Sequence, residues 1–299
     1  MHYDPVKYRL ARLLKIPFLR FLFHKTLDTL FLRAWYVHRE LVRICNLSID
    51  NYDISISSPN YVNSKSRIQN PKFLDAGMGF GQFSDWLLRR FPASQVVGLE
   101  IDRAHLYGCE DYFRQRHNAF RFALGDVQNL PFRGASFDLI WAVDVIEHIA
   151  DDDAAFQEFN RILKPGGRFL MHTPRIPEAL HSQPQRVGCS ATFSETNSAF
   201  WSVDEHKREG YSDREAVEKL TAAGLKVDKI IRSYGAAGRL AWNLLQRVPL
   251  GMMAKNRFLA PAIGLYLILV FLPAIMMMWL DWSRRDHPNG GGLLIVAKK

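Results

Sequence analysis

In "LDAGMGFGQF", residues 74–83, an acidic residue is followed by three glycines at alternate positions. Asp75 closes an apolar run. Gly77, Gly79 and Gly81 then separate it from an amphipathic stretch, which is where a backbone must turn tightly and let a ligand come close. Twenty-five residues after Asp75, Glu100 closes "VVGLE", a carboxylate suited to accepting both hydroxyls of a ribose. "GDVQNLPF" then supplies Asp126, which can receive an exocyclic amine. "VDVIEHI" supplies Asp144, Glu147 and His148, and His148 has the intrinsic pKa to take a proton near neutrality. The same Glu-His pair can instead cap or stiffen the strand-to-helix turn, the commoner role of such a pair. Further on, His181, His206, Arg208 and Tyr211 are the polar residues of interest in a long irregular stretch that has the character of a lid. A lone surface histidine is more often solvated than functional.

The surrounding pattern says what positions these groups. From Pro71, short apolar runs alternate with helical stretches: 73–76 then 82–91, 95–101 then 103–117, 120–124, 137–143 then 151–163, and 168–173. Such alternation predicts a parallel sheet covered by helices on both faces, with ligands beyond the carboxyl ends of the strands. The three cysteines, Cys45, Cys109 and Cys189, are too scattered for a disulfide framework or a zinc site, and a reducing compartment is expected.

The ordered set, from the Asp-x-Gly-x-Gly-x-Gly turn through Glu100, Asp126, "FDLIWAVDVIEHI" and "LKPGGRFLMHTP", resembles the class I S-adenosylmethionine-dependent methyltransferases. Within them it is closest to the branch with quinone, small-molecule and lipid enzymes. The resemblance covers 71–174 well and extends more loosely through the terminal strands to the end of the chain. It implies a doubly wound α/β fold, a seven-stranded and mostly parallel sheet whose antiparallel last strand enters between the fifth and sixth. It implies S-adenosylmethionine as the cofactor and no metal. By resemblance, Asp75, Gly77, Met78 and Gly79 hold the methionine part, Glu100 the ribose and Asp126 the adenine amine. Ile101 and Val127 flank the adenine, and Asp144 is counted both with the cofactor-binding set and, beside His148, as a catalytic candidate. His181, His206 and Tyr211 are substrate candidates.

A nicotinamide dinucleotide is the rival for the glycine turn. It needs a pyrophosphate at the helix N-terminus, which the charge of Asp75 is expected to repel, whereas that charge suits a methionine ammonium. Methyl transfer is an in-line displacement that asks the protein for alignment and exclusion of water, so a dedicated base is not obligatory.

The net charge of +9 is uneven. Residues 1–46 carry nine Lys and Arg against Asp4, Asp28 and Glu40. Phe23, Leu27, Leu30, Ala34, Val37, Leu41 and Ile44 form one helical stripe, suited to packing on the main domain, to lying in a bilayer interface, or to both. Charges recur through Lys25, so no signal peptide is expected. Residues 47–70 look like a linker. An uncharged run from Phe258 to Leu280 has the length of a membrane span, yet one complete crossing would strand "GGLLIVAKK" away from its sheet. A helical hairpin or a helix broken at Pro261, Gly264 or Pro273 is expected instead, inserted in one leaflet or folded over the site mouth.

The sequence therefore predicts a basic amphipathic arm (1–46), a linker (47–70) and a methyltransferase domain (71–299) with a lid at 175–211 and an apolar insertion at 236–287. The function expected is methylation of an amphiphilic acceptor (lipid, isoprenoid or quinone) on the cytoplasmic face of a membrane. Nucleic acid is not expected as a partner, since the Asn-Pro-Pro-Tyr and Pro-Cys motifs of base methyltransferases are absent. The alternatives are a soluble small-molecule methyltransferase whose insertion is a lid or dimer contact, and a non-catalytic protein that binds the cofactor.

Overall fold

A computed structural model describes residues 14–50, 71–178, 207–255 and 260–299. Seven strands form one sheet: β1 (Lys72–Ala76), β2 (Gln95–Glu100), β3 (Phe120–Leu124), β4 (Phe137–Val143), β5 (Leu163–Pro174), β6 (Lys226–Ser233) and β7 (Gly292–Lys298). Their order is β3-β2-β1-β4-β5-β7-β6. β1 to β5 pair in parallel, and β7 lies antiparallel to both β5 and β6, with Met171 opposite Ile295 and Ile230 opposite Ile295 on its other edge. This is the sheet expected from the sequence, including the place of the last strand.

Alternation along the strands divides the core into two layers. Phe73, Leu139 and Trp141 face one side with Leu87, Leu88 and Phe113, from helices α3 (Gln82–Arg90) and α4 (Arg103–Arg116). Leu74, Ala76, Ile140 and Ala142 face the other with Phe156, Phe159 and Leu220, from α5 (Asp152–Ile162) and α6 (Asp213–Ala222).

The basic arm is part of the first layer. Pro17 starts α1 (Pro17–Leu30), an N-terminal position where its missing N–H costs nothing. Extended Phe31 then breaks the chain before α2 (Leu32–Asp50). Leu32, Tyr36, Val37, Leu41 and Ile44 of α2 are fully buried in the same core as the strands. Arg20 and His24 of α1 are also buried: Arg20 donates to the Leu14 carbonyl (2.8 Å), and His24 Nδ1 meets Asp85 at 3.2 Å. Packing on the domain is thus what these helices do here. α2 also runs beyond the expected boundary at residue 46, while the remainder of the expected linker lies outside the described residues.

The C-terminal insertion departs from expectation in one respect. The apolar run is neither broken nor folded on itself: α9 (Ala260–Arg284) is one helix of 25 residues, about 37 Å long, that passes through Pro273. The return demanded by topology comes from a different partner. α7 (Ala236–Trp242), a π-turn (Asn243–Arg247) and α8 (Val248–Lys255) form the outgoing leg, and α9 is the returning one. Tyr266 donates to the Leu244 carbonyl (3.1 Å), and near the base the Gly238 N–H donates to Asp281 (2.9 Å). Asp281 is buried and also accepts from the Tyr36 hydroxyl (2.9 Å), so one carboxylate ties α2, α7 and α9 together. Near the C-terminal end of α9, Met278 is buried while Met276 and Trp279 are more than half exposed.

Candidate active site

The glycine turn sits beyond the carboxyl end of β1. Gly77 and Gly79 both have positive φ (72° and 52°), which excludes most side chains. A Cβ on Gly77 would stand 2.5 Å from Val145, so this glycine lets the turn approach the loop after β4. A Cβ on Gly79 would meet nothing within 4 Å among the described residues, which leave that side of the turn open. The N–H groups of Gly77 and Met78 donate to the Leu99 carbonyl (2.9 Å each), binding the turn to β2.

Glu100 lies across from this open side. Its Oε2 accepts from the Gly79 N–H (2.8 Å), and its Oε1 from the N–H groups of Ile101 (3.0 Å) and Asp102 (3.3 Å). A carboxylate oxygen has two lone pairs, so Oε2 keeps one for a further donor. Ile101 is 67% exposed beside it, available to cover a planar ring. Asp126 accepts from Gln128 through its N–H (2.9 Å) and side-chain amide (3.0 Å). An open glycine turn, a fixed carboxylate and an exposed apolar side chain in one row fit S-adenosylmethionine: turn backbone for the methionine part, Glu100 for the ribose, Asp126 and Ile101 for the adenine.

Three members of the predicted set lie elsewhere. Asp75 is buried beneath the turn, where Ser84 donates to it at 2.6 Å. Burial pushes its carboxyl up to about 7 against the pull of Ser84 and Trp141. It organises the start of α3 and does not present a full negative charge to a ligand, so its expected repulsion of a pyrophosphate loses most of its force. Met78 turns its side chain inward over Gly98, its sulfur filling the space that a Cβ on that glycine would need, and can offer a ligand only its backbone. Val127 is buried in the second core layer and supports the site from below.

The second cluster stands at the ends of β4, β5 and β6. Asp144 is held at φ 53°, a conformation that costs a non-glycine residue energy and is kept by its surroundings. Its carboxylate meets Arg33 of α2 at 2.8 Å and His172 Nδ1 at 2.7 Å. Burial opposes ionisation, but Arg33 and His172 outweigh it and hold the Asp144 carboxyl well below the usual range. Ionised Asp144 can only accept, so His172 Nδ1 is the donor of this pair, and its Nε2 faces the Ser233 hydroxyl at 3.4 Å. His148 is half-buried in the short 3-10 turn Ile146–His148, beside Asp144. Glu147 behaves oppositely to Asp144. Burial, with the Asp144 charge nearby, pushes its carboxyl up to about 8, and Thr173 donates to it at 3.1 Å. Adjacent acids whose ionisation is driven apart are a frequent sign of a functional site.

Tyr211 is not presented to this cluster. It is fully buried, its ring beneath the Arg208 guanidinium (4.1 Å) and its hydroxyl on Asp152. Its N–H donates to the Pro174 carbonyl (3.1 Å), which pins the two ends of the predicted lid together. It is a core residue here, not a substrate ligand. His181 and His206 lie outside the described residues. Arg33, His172 and Ser233 were not foreseen. Their signals were faint: one arginine within an apolar helix stripe, and single polar residues ending two strands.

The glycine turn also has an unforeseen roof. Arg20 Nη1 (3.2 Å) and His24 Nε2 (3.0 Å) of α1 both bond the carbonyl of Phe80, inside the turn. Among the described residues, no group of three or more His, Cys, Asp or Glu side chains is arranged to hold a metal ion.

Residues 74–171 match the family described as "Methyltransferase domain". Methyltransferase GfsG of Streptomyces halstedii is 37% identical over 102 residues, which is 33% of this chain and 36% of that protein. A malonyl-[acyl-carrier protein] O-methyltransferase of Erwinia billingiae is 31% identical over 142 residues, 47% of this chain and 49% of that protein. The chain thus spans from about a third to a half of the length of these two curated relatives. Among solved structures, the [4+2]-cyclase SpnF has a TM-score of 0.51 and 20% identity, covering 77% of this chain and 74% of that one, a likeness of fold. That this fold is also found in a cyclase illustrates that the architecture alone does not set the reaction.

Proposed function

We propose, for a chain that carries a class I S-adenosylmethionine-dependent methyltransferase domain, that it transfers a methyl group to an amphiphilic acceptor while resting on the cytoplasmic face of a membrane. S-adenosylmethionine supplies a methyl carbon on a positive sulfur: the acceptor lone pair forms the new bond, the carbon–sulfur bond breaks, and S-adenosylhomocysteine leaves as a neutral thioether. The residues of the chain do the rest. The backbone of Gly77–Gly79 and the carboxylate of Glu100 hold and orient the donor. Asp144 fixes the His172 ring, and Arg33 neutralises Asp144 so that the pair brings no net negative charge. His172 is buried and serves to hold Asp144, which leaves His148, half-buried at the end of β4, as the base for an acceptor that must lose a proton.

The observation that carries the membrane part is the exposed face of α9. Leu265, Ile268, Leu269, Leu272, Met276 and Trp279 follow the i, i+3, i+4, i+7 spacing and form one stripe, with Ile268 and Leu272 each 74% exposed. A stripe of that size is unfavourable in water. Arg284 and Arg285 close its far end, and the basic excess of residues 1–46 suits an anionic cytoplasmic leaflet. The relatives named for an acyl-carrier substrate add support for an acyl or lipid-like acceptor.

The test is transfer of a labelled methyl group from S-adenosylmethionine into membrane extracts, with Glu100→Ala as the blank and a Leu269→Glu/Leu272→Glu double variant beside it. Label in the organic phase that both variants lose supports the proposal. Label only in water-soluble acceptors, undiminished by the double variant, points to the soluble enzyme. A stable dimer in sedimentation that the double variant dissolves gives the stripe to a second copy. Absence of any transfer despite donor binding leaves a non-catalytic binding protein.

A further inference from the structure

A cleft of about 480 Å³ lies away from the glycine turn, between α2, α3 and α9. Four tryptophans line it: Trp35 from α2, Trp86 from α3, and Trp279 and Trp282 from α9. His38, Arg39 and Val42 of α2 complete the wall. Positions 35, 38 and 39 share one helix face, and 279 and 282 share another, so three separate helices present their aromatic sides to one space.

The polar groups of this cleft are unequal. His38 is stacked flat on Trp86 (3.9 Å between ring centres), and burial lowers its pKa to about 3, so it is a neutral wall. The charge belongs to Arg39, whose guanidinium lies over the rings of Tyr36 (4.8 Å) and Trp282 (5.3 Å) and donates to the Trp282 carbonyl (2.7 Å). Its nearest acid, Glu40 at 3.6 Å, is already met by Lys229 at 2.8 Å and by Arg43 at 3.7 Å. Three cations around one carboxylate leave a local positive excess, and Arg284 and Arg285 follow Trp282 after Ser283.

Trp279 belongs to two features at once. It lines the cleft, and it ends the exposed stripe that begins at Leu265. The stripe spans about 21 Å along the helix. An apolar track thus runs along α9 into an aromatic cleft with a positive wall. Indole rings with apolar bodies and polar edges are suited to headgroup level, and a basic pocket at that level selects anionic headgroups.

We propose that this cleft binds one phospholipid of net negative charge, its headgroup at Arg39, where the positive wall disfavours a choline cation, and its acyl chains on the tryptophans and the α9 stripe. The site is separate from that of the methyl donor. The inference rests on the membrane reading above for the source of the lipid, and it makes that contact specific: the protein recognises a negatively charged lipid and not merely an apolar surface.

Dihexanoyl-phosphatidylglycerol, titrated below its micelle concentration, tests the site without any membrane. Tryptophan emission is expected to change saturably, with at least ten-fold weaker binding of dihexanoyl-phosphatidylcholine. Arg39→Gln is expected to erase that preference and Arg39→Lys to retain it, while Trp279→Leu, which keeps α9 apolar, weakens binding of both lipids. Failure of phosphatidylglycerol to saturate, or equal binding of the two lipids, overturns the proposal. Flotation with vesicles separates the two readings. Protein that floats with phosphatidylcholine vesicles but has no monomer site loses this inference and keeps the membrane reading. Protein that binds the monomeric anionic lipid but never floats keeps the site and loses the membrane reading.

Discussion

Arg33 and Asp144 stand 2.8 Å apart although 111 positions separate them in the chain, and this contact joins the N-terminal helices to the end of the central strand β4. Tyr234, at the end of β6, accepts from the Arg33 N–H at 3.2 Å. Asp144 and Tyr234 both hold positive φ (53° and 58°), so one residue of α2 secures two strained strand ends.

Removing that arginine tests the joint. Arg33→Ala should cost about 1–2 kcal/mol in urea unfolding, between the values for exposed and buried pairs, because both side chains are partly accessible. The same contact sets an acid dependence. Asp144 titrates lower in the folded state than in the unfolded one, so its contribution is complete above the unfolded value near 4 and is lost as the pH falls toward the folded one. As the pH falls below about 4, wild type and Arg33→Ala should therefore draw progressively together.

Glu147 predicts the opposite slope. Its folded value of about 8 lies above its unfolded value, so the native state binds the extra proton between about pH 4.5 and 8, and stability must fall as the pH rises through that window. The decline can reach at most about 1.4 kcal/mol for each pH unit crossed. Glu147→Gln keeps an oxygen for Thr173 and carries no charge. Denaturant midpoints at pH 5 and pH 8 should show a clear decline in wild type and a flatter response in the variant. Equal slopes would mean that Glu147 ionises normally.

The two glycines of the turn should separate folding from binding. Gly77→Ala meets Val145 as well as an unfavourable φ and should destabilise by about 1–3 kcal/mol. Gly79→Ala meets only the unfavourable φ, about 1–2 kcal/mol, while its methyl projects into the open side. Calorimetric titration of S-adenosylmethionine should find Gly79→Ala impaired out of proportion to its stability. Glu100→Ala, which removes a charged acceptor, should weaken that binding about 10- to 100-fold.

The hairpin contains residues of opposite sensitivity. Asp281→Ala leaves the Gly238 N–H and part of the Tyr36 hydroxyl unsatisfied in a buried place and should cost about 1–3 kcal/mol. Leu269→Glu, on the exposed stripe, should change unfolding by no more than about 0.5 kcal/mol. A large loss at Leu269 would show that another surface covers it.

What the sequence determined by itself was everything that repeats locally. Alternating runs of apolar residues implied a covered parallel sheet, because strand and helix periods are written in neighbouring residues. The order of the motifs around Gly77, Glu100 and Asp126 pointed to where a donor would bind, and the need for β7 to rejoin its sheet required the insertion to return. Only the tertiary structure decided which group answers which charge. Asp75 looked like a ligand until burial placed it under its own turn with Ser84. Arg33, His172 and Ser233 became a cluster only when α2 and three strand ends met. The hairpin likewise took its outgoing leg from 236–255, since a long apolar helix is indifferent to which neighbour it packs against until the fold supplies Gly238 and Tyr36 for Asp281. Contacts between distant positions depend on the whole packed arrangement, and no local period records them.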